Sequence, residues 1–189
     1  MSVIQQLEDA RLLREAQQGN VEAFGVLYER YVQAVYRFLY AHLNNYLDAE
    51  DITSEVFLRA WRSLSRYRER GVPFLAYLLR IARNALVDFY RRSGSASQAS
   101  LALDEVDRLP APNAELAEGM ANRIAHQELR ILLRQLPQDY QMVLVLRFLN
   151  ALSPEETAQV LGRSASAVRV LQHRALAALR ALIPEEPGR

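Results

Sequence analysis

Ser166, Arg169, Val170, His173 and Arg180 fall on one side of the helical run that follows Ser164, with Arg174 on its flank. At about 100° per residue the other side carries Val168, Leu171, Ala175, Leu179 and Leu182, which can pack on preceding helices. Residues 160–181 hold four arginines and no acid. Such a face can read base edges in a major groove. Arginine pairs with guanine edges or phosphate, serine with either, and Val170 can meet a thymine methyl. Ser164, Ser166, Arg169, Val170, His173 and Arg174 are the candidate duplex-contacting residues.

A second cationic stretch lies earlier. Residues 59–92 hold nine arginines against Glu69 and Asp88, a net of +7, whereas residues 1–58 hold four arginines against nine acids, a net of −5. The overall charge of +1 hides this segregation, which suggests a phosphate-facing surface on an acidic body. All 23 basic residues are arginine, so arginine at any one site says nothing about selection for bidentate contacts. Catalysis has little support. His42, His126 and His173 lie far apart, there is no cysteine, and no phosphate-cradling glycine loop or nucleophile elbow occurs. The acid pairs Glu50/Asp51 and Glu155/Glu156 sit in first helical turns, where the helix dipole accounts for them. The chain reads as a non-enzyme with no cofactor and no metal.

The elements that position these residues are helices. Ser153 as N-cap, Pro154 at the first helical position and Glu156 closing an S-x-x-E box fix one helix start. Gly162 ends that helix and Ser164 caps the next, which meets no glycine or proline before Pro184. Two helices joined so closely form a helix-turn-helix. Upstream, Asn20 is predicted to cap a helix whose Phe24, Leu27, Tyr28, Tyr31, Val35, Phe38 and Leu39 make a core-facing stripe. Asp48 is predicted to cap DAEDITSEVFLRAWRSL, with Ile52, Val56 and Ala60 on one side, and PFLAYLLRIARNALVDFYRR follows a loop. No segment alternates with period two, so the fold is expected to be all-α with two helical domains. SGSASQASLALDEVDRLPAP, residues 93–112, reads as a flexible linker between a first domain at 1–92 and a second at 113–189, opened by Asn113 as a cap. Half of the 189 residues are apolar, enough for real cores, yet runs such as MVLVL at 142–146 are too short to span a bilayer. The N-terminus lacks a signal-peptide layout, and a cytoplasmic location is expected.

Taken together, these segments resemble an extracytoplasmic-function sigma factor, the minimal specificity subunit of bacterial RNA polymerase. DAEDITSEVFLRAWRSLSRYR is similar to the polymerase-binding helix of that family, FLAYLLRIARNALVDFYRR to its promoter-opening helix, and LSPEETAQVLGRSASAVRVLQHRALAALR to its C-terminal helix-turn-helix. The resemblance implies core-polymerase binding by Asp51, Glu55, Leu58 and Arg62, which share a face at spacings of four, three and four. It implies contact with the melted minus-ten element by Arg66, Tyr67, Arg68, Phe74, Tyr77, Arg80, Arg83 and Asn84. Opened DNA needs cations for its backbone and flat or recessed apolar surfaces for its bases, and Asn84 matches a position that helps hold a flipped base. The helix-turn-helix residues would read the minus-thirty-five element. Implied partners are core RNA polymerase, promoter DNA both double-stranded and melted, and an anti-sigma factor. Two departures stand out: Tyr77 replaces a common tryptophan, and VLQHRAL at 170–176 replaces runs like SRLHRAR. The alternative function is a stand-alone helix-turn-helix regulator; such proteins usually dimerise on palindromes, and no dimer seam is evident.

The linker adds a physical expectation. Twenty residues reach at most about 66 to 72 Å but relax to roughly 22 to 27 Å. Two promoter elements two helical turns apart are separated by roughly 70 Å. The free protein should therefore be compact, with its DNA-reading surfaces poorly arranged, until core polymerase holds the domains apart and threads the linker through a basic channel.

Overall fold

A computed structural model describes residues 3–43, 45–68, 71–92 and 128–183, and every regular element among them is helical. The linker at 93–112, the cap at Asn113, His126, Pro184 and the loop positions Glu69 and Arg70 lie outside the described residues.

The first module contains α1 (Val3–Gln17), α2 (Val21–Leu43), α3 (Tyr46–Ser63) and α4 (Phe74–Arg92), with a 3-10 turn at Leu64–Arg66 after α3. Asn20 does cap α2, its Oδ1 accepting from the Ala23 amide at 3.0 Å. The α2 stripe forms the core, where Leu27, Val35, Phe38 and Leu39 are fully buried. Tyr28 departs from the expectation: it is 41% exposed and rests at the core edge against Phe57. Ile52, Val56 and Ala60 of α3 meet that core as expected. The start of α3 needs correction. Asn45, not Asp48, is the N-cap, because its Oδ1 accepts from the Leu47 amide at 3.0 Å, and Asp48 falls inside the first turn.

Helix α1 docks through a polar cluster. The buried Asp9 carboxylate accepts from the Tyr31 hydroxyl and the Arg30 guanidinium, and Arg30 also donates to Glu8 at 3.2 Å. Burial, reinforced by Asp9, pushes the Tyr31 phenol well above its ordinary pKa.

The second module contains a helical segment at 128–134 (α5), α6 (Gln138–Leu144), a π-helical turn at Val145–Leu149, α7 (Pro154–Leu161) and α8 (Ala165–Leu182). The capping box of α7 is complete: Ser153 Oγ accepts from the Glu156 amide at 3.1 Å and Glu156 accepts from the Ser153 amide at 2.6 Å. Gly162 closes α7 in the left-handed region at φ 65°. Ser164 caps α8 by accepting from the Ala167 amide at 3.2 Å. Val168 and Ala175 are fully buried, with Leu171, Leu179 and Leu182 half-buried beside them, so the inward face of α8 is the expected one.

The two modules touch. Helix α7 lies against α4, and the π-helical turn lies against α2.

Candidate nucleic-acid and polymerase interface

Three surfaces carry the predicted residues. On α3, Asp51, Leu58 and Arg62 are exposed and Glu55 is half-buried, all on the side away from Ile52 and Val56. Glu55 is not a free acid, since Arg59 donates to it at 2.6 and 3.1 Å and bridges on to Asp88 at 3.4 Å. The hydrogen bond to Glu55 is the largest influence holding the Arg59 guanidinium in its charged form. Asp51 and Glu55 also edge a shallow groove with Asp48, Phe89 and Arg92. The face thus combines acid, cation and one exposed leucine, a composition suited to docking a mixed polar and apolar helix.

The second surface is built where α3 ends and α4 begins. The 3-10 turn reverses the chain, and Gly71 takes φ 70° to bring it back. Gln17 at the end of α1 donates to the carbonyls of Leu64 at 3.0 Å and Tyr67 at 2.9 Å, which fixes this loop to the body of the module. Within it lies a cleft of about 390 Å³ lined by Ser63, Arg66, Tyr67, Arg68, Tyr77 and Arg80, among others. Arg66, Arg68 and Arg80 are exposed at its rim. The Tyr77 hydroxyl bonds Ser63 Oγ at 2.7 Å, and the Arg80 guanidinium lies 5.7 Å from the Tyr77 ring centre. A half-buried ring flanked by cations can accept both a flat base and its phosphate.

One of the expected ring contacts, Phe74, is corrected by this geometry, while Tyr67 keeps its place in the cleft as a buried floor. Phe74 is 2% exposed and Tyr67 is 9% exposed. Phe74 packs edge-on against Tyr31 and Tyr67 and stacks beside Tyr77, so it belongs to the core. Tyr67 meets the Tyr77 ring at 4.7 Å and forms the floor of the cleft. Only Tyr77 presents a substantial ring. Arg83, half-buried, and Asn84, exposed, lie further along α4 and do not line the cleft.

The third surface is the outward face of α8. Ser166, Arg169, Val170, His173 and Arg174 are all exposed there, as their spacing predicts. Ser164 is committed to its cap, and its hydroxyl also meets Ser166 Oγ at 3.0 Å. Arg169 donates to Glu155 of α7 at 2.6 Å, which holds its guanidinium across the helix-turn-helix. Sequence reasoning missed three positioning residues: Gln17, Gln159 and Arg147. Gln159 of α7 contributes to the wall of the cleft. Arg147 donates to Gln172 Oε1 at 2.7 Å and to the Leu152 carbonyl, pinning α8 to the turn before α7. Each acts across a distance in sequence that no local pattern encodes.

A chain whose described elements are all helical, and which joins a cationic, tyrosine-bearing cleft to a helix-turn-helix, has the architecture of a DNA-binding transcription protein. Residues 27–96 match Sigma-70 region 2, and residues 126–179 match Sigma-70, region 4. The ECF RNA polymerase sigma factor BldN of Streptomyces coelicolor is 37% identical over 93% of this chain, which spans 66% of BldN. SigX of Bacillus subtilis is 31% identical over 84% of this chain and 82% of its own length. A solved structure of CnrH in complex with the cytosolic domain of CnrY superposes with a TM-score of 0.71 at 28% identity, covering 93% of this chain and 96% of that one. The chain belongs to the ECF sigma factor family.

Proposed function

We propose that this protein binds core RNA polymerase, directs it to specific promoters and helps open the DNA for transcription initiation. The observation that carries this reading is the pairing, in one chain, of a ring-floored cationic cleft in the region 2 module with an exposed basic recognition helix in the region 4 module. Residues 1–92 would take polymerase and the minus-ten element, 93–112 would connect, and 113–189 would take the minus-thirty-five element. Asp51, Glu55, Leu58 and Arg62 form the polymerase-docking face. Arg66, Arg68, Tyr77 and Arg80 bind the melted strand over the floor made by Tyr67, with Arg83 and Asn84 extending the path along α4. Ser166, Arg169, Val170, His173 and Arg174 read the duplex.

Its role is that of a specificity subunit and not a catalyst, and its place of work is the cytoplasm, where polymerase acts. No helix among the described residues is long and apolar enough to cross a membrane. An anti-sigma factor is the second partner that the family membership implies, and CnrH for its part is solved with a protein partner, the cytosolic domain of CnrY. Run-off transcription with purified bacterial core polymerase tests the proposal. The chain should redirect initiation to a candidate promoter, and Asp51→Arg with Leu58→Asp should abolish co-elution with core. If the chain bound promoter DNA but never joined core, the stand-alone regulator would be the better reading.

A further inference from the structure

Of the four arginines between residues 160 and 181, the two that precede or open the recognition helix are held by acids from other helices. Arg169, on the outward face of α8, donates through Nη2 to Glu155 Oε1 of α7 at 2.6 Å, and Arg163 in the turn is held by Asp139 of α6. Arg174, further along α8, has no acid within ion-pair distance among the described residues. The neutralised end is the one that a helix-turn-helix points at base edges. Stability does not account for the Arg169 pair. Its side chains are 59% and 61% exposed, and ion pairs so open to water contribute little. Nor does α7 need Glu155 to start, because Glu156 closes the capping box and already supplies a first-turn charge.

What the pair changes is the use to which Arg169 can be put. A free guanidinium is a cation that any phosphate satisfies, and phosphate contacts carry no sequence. Joined to a carboxylate, its charge is offset, yet most of its five N–H donors remain available in a fixed fork. That fork matches guanine O6 and N7 in the major groove. The carboxylate meanwhile repels a phosphate that approaches the same guanidinium, so the pair discriminates against the wrong contact as well as favouring the right one. We propose that Glu155 is a specificity-determining positioning residue: it withholds Arg169 from the phosphate backbone and holds the guanidinium for a guanine edge. This deepens the assignment of α8 to duplex DNA made above and rests on it.

The full chain is compared with Glu155→Gln, Arg169→Ala and the double variant Glu155→Gln/Arg169→Ala. Each is measured by filter binding on a mixed-sequence duplex over a salt series and by selection from a randomised duplex pool. Glu155→Gln keeps the size of the side chain and removes its charge. The released arginine should add one phosphate contact, steepening the slope of log K against log salt by about 0.9, a gain in mixed-sequence affinity of roughly eightfold between about 1 M and 0.1 M salt. The preference for guanine at one position of the selected sequence should fall by at least about fivefold, the lower end of what a bidentate base contact discriminates. A merely structural role for Glu155 predicts the opposite sign, weaker binding at an unchanged slope. In the Arg169→Ala background, Glu155→Gln should alter neither slope nor preference. An unchanged or shallower slope in Glu155→Gln, or an undiminished guanine preference, would overturn the proposal. An equal gain in the double variant would overturn it too, since Glu155 would then act by repulsion alone and not through Arg169. If the parent selects no sequence, or Arg169→Ala matches it in slope and preference, the duplex assignment of α8 itself fails, and the role of Glu155 falls with it.

Discussion

His42 ends α2 inside the core, where Nδ1 meets the Phe38 carbonyl at 2.7 Å and Nε2 finds no partner among the described residues. Burial pushes its pKa down to about 4, outweighing the opposite effect of the Phe38 bond. The folded value lies below that of the unfolded chain, so the native state keeps the imidazole neutral while the unfolded state takes up a proton as pH falls. Stability from this group is whole above about pH 6.5 and is lost between there and about pH 4, amounting to on the order of 3 kcal/mol. Urea unfolding at pH 7 and pH 5 should show about 2 kcal/mol of that loss, and His42→Asn should flatten the difference whatever its effect at pH 7. Phe74 and Tyr77 separate at the same scale. Phe74→Ala should lower stability by about 3 to 5 kcal/mol, as a core deletion does. Tyr77→Ala should cost less stability than Phe74→Ala, because its ring is only half-buried, and should weaken single-strand binding by about 1 to 3 kcal/mol, measured by fluorescence anisotropy. Residue type alone could not divide them. Both are aromatic, both sit in the arginine-rich stretch, and only the approach of Tyr31 from α2 decides which ring is covered.

Elements were legible where their ends carry local chemistry. The box at Ser153 to Glu156, the left-handed Gly162 and the cap at Ser164 each complete a hydrogen bond within a few residues, so sequence reports them directly. Ser153→Ala should therefore cost about 1 kcal/mol in chemical denaturation. At Gly162 an added Cβ would meet nothing within 4 Å, so Gly162→Ala tests backbone strain alone and should cost about 1 to 2 kcal/mol. A matched change at Gly25, mid-helix in α2 with equally open space, should instead stabilise by about 0.5 to 1 kcal/mol. Other elements were opaque for a stated reason. The start of α3 was misplaced because Asn45 and Asp48 are both good caps, and the extended backbone at Asn45 breaks the tie. The π-helical turn leaves no composition signal; it ends where the Asn150 amide bonds the Val145 carbonyl and Ala151 turns the chain at φ 52°. Helix α1 earned no function from its sequence, yet Gln17 is what steadies the loop above the cleft.

At the scale of the whole molecule, the linker length argued for a compact free form, and the two modules do meet across α7 and α4. What length could not say is which reading surface the contact leaves open, and the outward face of α8 is one. The answer governs how affinity responds to salt. Each phosphate neutralised on duplex DNA contributes about −0.9 to the slope of log K against log salt, and on a single strand about −0.7. The free chain should meet duplex chiefly through Arg169, Arg174 and their neighbours on the outward face of α8, and its slope should be shallow, near −2 to −3. In the open promoter complex, Arg66 and Arg68 at the cleft rim should join the melted strand. Replacing both by alanine should then reduce the slope of the open promoter complex by about 1.4, while leaving the slope of the free chain on duplex unchanged. Filter binding across a salt series measures both quantities. A loss of slope in the free chain as well would mean that the exposed rim arginines already reach duplex DNA without polymerase.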